Sequence, residues 1–268
     1  MQLATPPIVA AIAIALHMTF AFALCVRARN YGLVDIAWGS GFVVVALATV
    51  LFAHGGRSTT SIAVDGLVAV WGLRLSWHLA RRNIGHAEDF RYAAMRAQWG
   101  DSHVWRAAYR IFGTQGLVMW LIAAPIWLAA HGAEARHGSW FILATVALGS
   151  LITVEGLALE SVADRQLAVF KADPDPGKGR FLTTGVWSWC RHPNYLGEAI
   201  VWWGIALVAN PARYGFLALG SAALITWFLR YVSGVPPLED RWSTHPEWQT
   251  WASKVPPLLP WPRPRPKA

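Results

Sequence analysis

Residues 6–26, PPIVAAIAIALHMTFAFALCV, carry no charge, and Arg27 and Arg29 follow at once. About 20 apolar residues in a helix span the hydrocarbon core of a bilayer. A helix can do so because it satisfies its own backbone hydrogen bonds. The run is too long for the apolar core of a signal peptide, and no basic residue precedes it. It is therefore expected to stay in place as a first membrane span.

Working outward, six more stretches read the same way, over about 34–54, 62–80, 111–131, 139–160, 194–210 and 214–232. The expectation is an all-α polytopic transmembrane bundle of about seven helices, one integral membrane domain over 1–268. Composition agrees. Of 268 residues, 55% are hydrophobic and 14% charged, whereas soluble domains carry about a quarter charged residues. The 17 Trp suit interfacial aromatic belts and exceed what belts alone need.

The basic residues set an orientation. With seven spans, one side of the membrane collects Arg27 and Arg29, then Arg81, Arg82, Arg91, Arg96, Arg106 and Arg110. The same side holds Arg165, Lys171, Lys178, Arg180 and Arg191, and finally Arg241, Lys254, Arg263, Arg265 and Lys267. The other side holds only Arg57, Arg136 and Arg213. The positive-inside rule then puts the N-terminus outside and the C-terminus in the cytoplasm. A multi-pass protein of a bacterial inner membrane, or its equivalent, is expected. The formal charge of +8 is thereby explained without nucleic acid, for which no basic–aromatic groove is evident. Cys25 and Cys190 form neither a disulfide framework nor a metal-ligand spacing, so no metal is expected.

Two cytoplasmic stretches, 81–110 and 161–193, are too long to be simple connectors and are expected to cap a site at that face. The most informative motif ends the second one: Arg191-His192-Pro193-Asn194-Tyr195-Leu-Gly197-Glu198. Pro193 suits the first position of a helix. Arg191 and His192 then flank a helix N-terminus, whose free N–H groups favour anions. Asn194, Glu198 and Trp202 share one helical face, and a carboxylate inside a span is costly without a purpose or a partner. A helix cap with a structural ion pair is the plain alternative.

Glu160 and Asp164 stand one turn apart near the end of the fifth span, with Lys171 two turns on. Acids there oppose the helix dipole; they suit hydroxyls or an amide of a bound cofactor, or else a solvated helix end. In the early spans, Asp35 and Trp38 lie near the start of the second, and Trp71, Arg74 and His78 line one face of the third. Asp35 and Arg74 are expected either to neutralise each other or to face a substrate. Asp65 and His17 read as structural. The Gly177–Arg180 loop reads equally as a phosphate contact or an ordinary basic loop. The Pro-rich tail, 256–266, reads as an extended end.

Taken together, Val34-Asp35-Ile-Ala-Trp38-Gly39, Trp71-Gly-Leu-Arg74-Leu, Glu88-Asp89-x-Arg91-Tyr92, Ala163-Asp164-x-Gln166-Leu, the Arg191–Glu198 motif and Ser233-Gly-Val-Pro-x-Leu-Glu239 resemble the DUF1295 membrane proteins over about residues 30–262. Arg-His-Pro-x-Tyr-x-Gly alone is shared with isoprenylcysteine carboxyl methyltransferases, phospholipid methyltransferases and sterol reductases. The DUF1295 group is similar to steroid 5α-reductases, in which seven transmembrane helices surround NADPH near the cytoplasmic side. The resemblance implies a cofactor half at about 139–262. It puts Glu160, Asp164 and Lys171 where those enzymes have an Asn, an Asp and an Arg at the nucleotide. Asn194, Glu198 and Trp202 match their cofactor contacts directly, Arg230 matches an Arg in the last span, and Arg180, Arg191, His192 and Tyr195 are expected to hold the cofactor with them, the first three by their charge. Three features depart from the pattern. There is no Gln–Glu pair in the second span, no Tyr around Trp71 in the third, and no His after Arg230.

The expected activity is NADPH-dependent reduction of a C=C bond in a lipophilic enone drawn from the bilayer. The cofactor would supply hydride to the β-carbon. Asp35, Arg74 and Trp71 are the expected catalytic residues, with the first two stabilising the developing enolate oxygen. No Gly-x-Gly-x-x-Gly is present, which argues against a Rossmann site. Two alternatives stand beside this reading. One is an S-adenosylmethionine-dependent methyltransferase of lipids or isoprenylcysteine. The other is a non-catalytic lipid-binding or transport protein, although no inverted repeat is visible.

Overall fold

A computed structural model describes residues 5–52, 57–131, 138–175 and 179–259, and all regular elements among them are helical apart from turns and one isolated bridge residue. In chain order the α-helices are α1 (Pro6–Ala28), α2 (Val34–Phe52), α3 (Thr59–Asn83), α4 (Phe90–Trp99), α5 (His103–Ala107), α6 (Thr114–Ile122), α7 (Ala124–Ala129), α8 (Ser139–Ala172), α9 (Pro193–Ala209), α10 (Ala218–Tyr231), α11 (Val235–Asp240) and α12 (Pro246–Lys254). A π-helical turn, Ala108–Gly113, joins α5 to α6.

Among the described residues, four helical stretches are long and apolar enough to cross a membrane: Pro6–Ala28, Tyr31–Phe52, Ser139–Ala172 and Gly215–Asp240. They mark the chain as a membrane protein. The other expected spans differ from a simple apolar helix, each for its own reason. Helix α3 has 25 residues but includes Asp65, Arg74, Arg81 and Arg82. The stretch expected as one span over 111–131 is interrupted at Ala123, where ψ is 4°, because Pro125 enters the first turn of α7. Helix α9 has 17 residues.

The helix ends follow local chemistry. Pro6 and Pro7 open α1, where missing N–H groups cost nothing. Ser58 and Ser61 form a reciprocal capping box at α3. As expected, Pro193 opens α9. The stretch 81–110, expected as a capping segment, is mostly helical, since α3 continues to Asn83 and α4 and α5 follow. The expected Pro-rich tail is described only to Leu259, and Arg136, Gly177, Lys178, Arg263, Arg265 and Lys267 lie outside the described residues.

The chain divides into two compact units, Met1–Leu148 with Ile205–Ser221 and Gly149–Gly204 with Ala222–Ala268. Each contains one helix crossing tight enough to require glycine. In the first, a Cβ on Gly72 of α3 would lie 2.6 Å from the Gly39 carbonyl of α2. In the second, a Cβ on Gly156 of α8 would lie 2.7 Å from the Gly197 carbonyl, and one on Gly197 of α9 would lie 2.6 Å from the Glu160 nitrogen. Small residues of this kind let membrane helices approach backbone to backbone.

Candidate functional site

In the first unit, the polar residues gather around Asp35 and Tyr31. The Tyr92 hydroxyl donates to Asp35 Oδ1 at 2.7 Å, and Arg91 Nη2 reaches Asp35 Oδ2 at 3.4 Å. Gln115 donates to the same phenol oxygen at 3.4 Å. Asp89 caps α4 by accepting from the Arg91 backbone N–H at 3.0 Å, and also takes Arg91 Nε at 2.9 Å. One step along, Glu88 accepts from the Tyr31 backbone N–H at 2.6 Å and from Arg96 Nε and Nη2 at 3.1 and 2.9 Å. Arg96 also lies over the Tyr31 ring, 4.2 Å from its centroid. The Tyr31 hydroxyl is 2.8 Å from His103 Nδ1.

The electrostatics of the 81–110 stretch follow from this wiring. Burial opposes the charged form of Asp89, but the bonds from Arg91 win and hold its carboxyl below the ordinary value. Burial, reinforced by the negative Asp35, pushes the Tyr92 phenol well above its ordinary value. Tyr92 therefore keeps its proton at neutral pH and offers it to Asp35.

One expectation is corrected here. Asp35 takes Arg91 as its ion-pair partner, not Arg74. The segment before and within α4 folds over the start of α2 and delivers both Arg91 and Tyr92 to the carboxylate. Arg74 is half-buried on α3, and Trp71 is fully buried against Phe42, with ring centroids 5.6 Å apart. A phenol does stand beside Asp35, that of Tyr92 on α4. Its place in the Glu88–Tyr92 motif was visible in the sequence, but nothing there pointed it at Asp35. The two residues read as structural have such partners: Asp65 pairs with Arg57 at 2.8 Å, and His17 Nε2 is 2.9 Å from the Ala37 carbonyl.

In the second unit, α8 and α9 bring acids together across the glycine crossing. Glu160, Asp164 and Glu198 are 3%, 9% and 7% exposed, so a solvated helix end is not where they sit. Trp202 is fully buried on the same face of α9 as Glu198. The Asn194 Oδ1 atom is buried and accepts no hydrogen bond among the described residues. Gln166, one turn beyond Val162 on α8, accepts from the Val186 N–H at 3.1 Å, and Trp187 Nε1 donates to the Ala163 carbonyl at 3.1 Å. These bonds tie the loop before α9 back onto α8.

The Arg191 and His192 side chains take internal partners. Arg191 Nε and Nη2 grip both oxygens of Glu239 at 2.7 and 2.8 Å. Its Nη1 donates to the Ala252 and Val255 carbonyls at 2.7 and 2.9 Å. His192 Nε2 is 2.9 Å from Glu239 Oε1, and its ring stacks on Tyr195 at 5.6 Å. The expectation that these two residues present their charge to an anion is revised accordingly. They hold the C-terminal segment to the start of α9, and Glu239 is the partner that spacing along one helix does not reveal.

The remaining residues lie apart from the buried acids in character. Lys171 and Arg180 are exposed, and Arg180 Nη1 is 3.4 Å from His245 Nδ1. Arg230, half-buried at the end of α10, lines a groove with Trp203, Trp227 and Tyr231. Among the described residues, no group of three or more His, Cys, Asp or Glu side chains is arranged to hold a metal ion.

Comparisons with known proteins agree with the sequence motifs. The chain is 30% identical over 180 residues to the uncharacterized protein C594.04c of Schizosaccharomyces pombe, a match covering 60% of this chain and 49% of that protein. The chain thus spans about half the length of the curated relative it matches. No solved structure matches it. The family described as "Protein of unknown function (DUF1295)" matches residues 21–255, nearly the whole chain, and the chain belongs to that family.

Proposed function

We propose that this protein is an NADPH-dependent reductase of a polarised C=C bond in a lipophilic enone taken from the bilayer. The observation that carries the reading is the α8–α9 acceptor set. Three buried carboxylates and the buried Asn194 oxygen stand where the similarity to steroid 5α-reductases implies nucleotide contacts. Buried acceptors of this kind suit ribose hydroxyls and an amide, and an orphaned carbonyl oxygen costs about 1–3 kcal/mol until a donor reaches it. The exposed Lys171 and Arg180 suit phosphate groups. The residues present therefore fit the cofactor. When bound, NADPH supplies the hydride.

On this reading Glu160, Asp164, Asn194, Glu198 and Trp202 orient the nucleotide, and Arg191, His192 and Tyr195 position the start of α9 without touching it. Asp35 and Tyr92 handle the proton. The phenol is held neutral with its single O–H on Asp35; to protonate substrate that O–H turns away from Asp35, and the Gln115 amide and the Arg91 guanidinium steady the phenolate left behind. Arg74 and Trp71 remain the other residues proposed for the substrate end. The chain crosses the membrane seven times, with its N-terminus outside and its C-terminus in the cytoplasm. Reporter fusions after Arg110 and at the C-terminus should both report the cytoplasm.

A second reading, an S-adenosylmethionine-dependent methyltransferase, draws on the Arg191–His192–Glu239 network, since that short motif is shared with lipid and isoprenylcysteine methyltransferases. Nucleotide binding by the purified protein in detergent separates the two. NADPH should bind, and Asn194→Ala should weaken it about tenfold, as expected for one lost hydrogen bond. Glu198→Ala should weaken it further with membrane insertion intact. Binding of S-adenosylmethionine in place of NADPH would reject the reductase.

A further inference from the structure

A groove of about 550 Å³ runs along α10, walled by Trp203 on one side and by the C-terminal residues Leu258 and Leu259 on the other. Trp203 follows the fully buried Trp202, about 100° round the helix, and is 42% exposed. The groove therefore opens on a different face of α9 from the one bearing Asn194, Glu198 and Trp202. Its aromatic lining, Trp203, Trp227 and Tyr231, is unusually open, with Trp227 and Tyr231 50% and 61% exposed. For a helix within a membrane-crossing stretch, such exposure is exposure to lipid.

One charge breaks this apolar surface. Arg230 lines the groove in the last turn of α10, within the apolar stretch Gly215–Asp240. Among the described residues, no carboxylate lies within ion-pair distance of it. Its guanidinium instead lies 4.6 Å from the centroid of the Tyr231 ring. A half-buried arginine at the edge of a span is stabilised by reaching the interface or by meeting an anion. Here an acyl-sized apolar trough leads away from the guanidinium, and the lining offers no acid to compete for it.

We propose that this groove seats one anionic phospholipid, with its phosphate on Arg230 and an acyl chain along Trp203, Trp227 and Leu259. The guanidinium fork suits a phosphate, and Trp and Tyr are the side chains that favour headgroup depth. The carbonyl end of α10 repels an anion, so the attraction depends on Arg230. The site takes Arg230 away from the nucleotide contact that the resemblance implies, and otherwise stands apart from the reductase reading.

The test reconstitutes the full chain in nanodiscs of phosphatidylcholine with a minority of phosphatidylglycerol and counts retained lipids by native mass spectrometry. Wild type should retain phosphatidylglycerol above its share of the bilayer. R230Q should lower that enrichment about fivefold, the effect of one cation on an anionic lipid. A223W, which fills the groove and leaves the guanidinium, should abolish it, whereas R241Q outside the groove should not. Undiminished enrichment in R230Q or in a monodisperse A223W overturns the site. So does a loss of NADPH affinity in R230Q with lipid retention unchanged, which would make Arg230 a nucleotide-phosphate contact.

Discussion

Each unit of the molecule contains a guanidinium fork gripping both oxygens of a glutamate, Arg96 on Glu88 in one and Arg191 on Glu239 in the other. The remaining bonds differ. Arg96 turns to an aromatic ring, while Glu88 spends an oxygen on the Tyr31 N–H at the entrance to α2. Arg191 turns to two backbone carbonyls, Ala252 in the last turn of α12 and Val255 just after it, and its own N–H donates to the Pro256 carbonyl at 2.9 Å. The first fork shapes the surroundings of a side-chain network, and the second fastens a stretch of main chain. Burial follows suit: the Arg191 side chain is 8% exposed and that of Arg96 is 25%.

That contrast is broken most directly at the buried fork. Arg191→Ala takes the guanidinium from Glu239, which keeps the His192 ring, and from two carbonyls, and removing one partner of a buried ion pair costs about 3–5 kcal/mol. Unfolding followed in detergent should show that loss, together with early proteolysis after residue 240. If Arg191→Ala costs no more than an exposed pair, about 0–1 kcal/mol, the fastening role is wrong. Arg191→Lys should recover little, since an ammonium cannot reproduce the bidentate fork.

Gly197→Ala comes next. Its new methyl group would meet the Glu160 nitrogen and the Gly156 carbonyl, which are main-chain atoms and cannot step aside. Forcing α8 and α9 apart should cost about 1–3 kcal/mol. It should also weaken NADPH, because the acids on both sides of the crossing move. Loss of stability with unchanged nucleotide affinity would separate the crossing from the proposed pocket.

These two variants also show where the sequence was legible. Apolar runs, the Pro193 helix start and the shared face of Asn194, Glu198 and Trp202 are local regularities, read from the period of one helix. The partners of Asp35 and Arg191 are not local: Tyr92 lies 57 residues from Asp35, and Glu239 lies 48 from Arg191. A carboxylate near a span announces that it needs a partner, and α3 offered Arg74 at a plausible depth. What decided otherwise was the fold of 81–110, whose helices α4 and α5 lay inside a stretch that length and charge marked as a capping segment without revealing its helices. The break at Ala123 was signalled by Pro125, but a hydropathy run averages over a single proline.

The Arg96 fork should give a smaller loss. Arg96→Ala removes two hydrogen bonds to Glu88 and a cation–π contact at a partly exposed site, worth about 1–2 kcal/mol together. The thermal midpoint should fall less than for Arg191→Ala. Equal losses would mean that the two forks do the same work and that burial does not separate them.

The smallest effect isolates charge from capping within the first unit. Asparagine caps helices about as well as aspartate, so Asp89→Asn keeps the bond to the Arg91 N–H and removes the ion pair with its guanidinium. At neutral pH the cost should be about 0.5–1 kcal/mol for a partly exposed pair. Its pH dependence is the sharper measurement. Folding holds the Asp89 carboxyl below its ordinary value despite the opposing effect of burial, so between the two values the unfolded chain binds a proton that the folded chain does not. The stabilisation is therefore complete above the ordinary carboxylate range and is lost as pH falls through the lower folded value. Wild type and Asp89→Asn should differ in stability near pH 7 and converge as the medium becomes strongly acidic. A gap that stays constant down to that range would mean that Arg91 holds Asp35 alone, and that the acid at the start of α4 is only a cap.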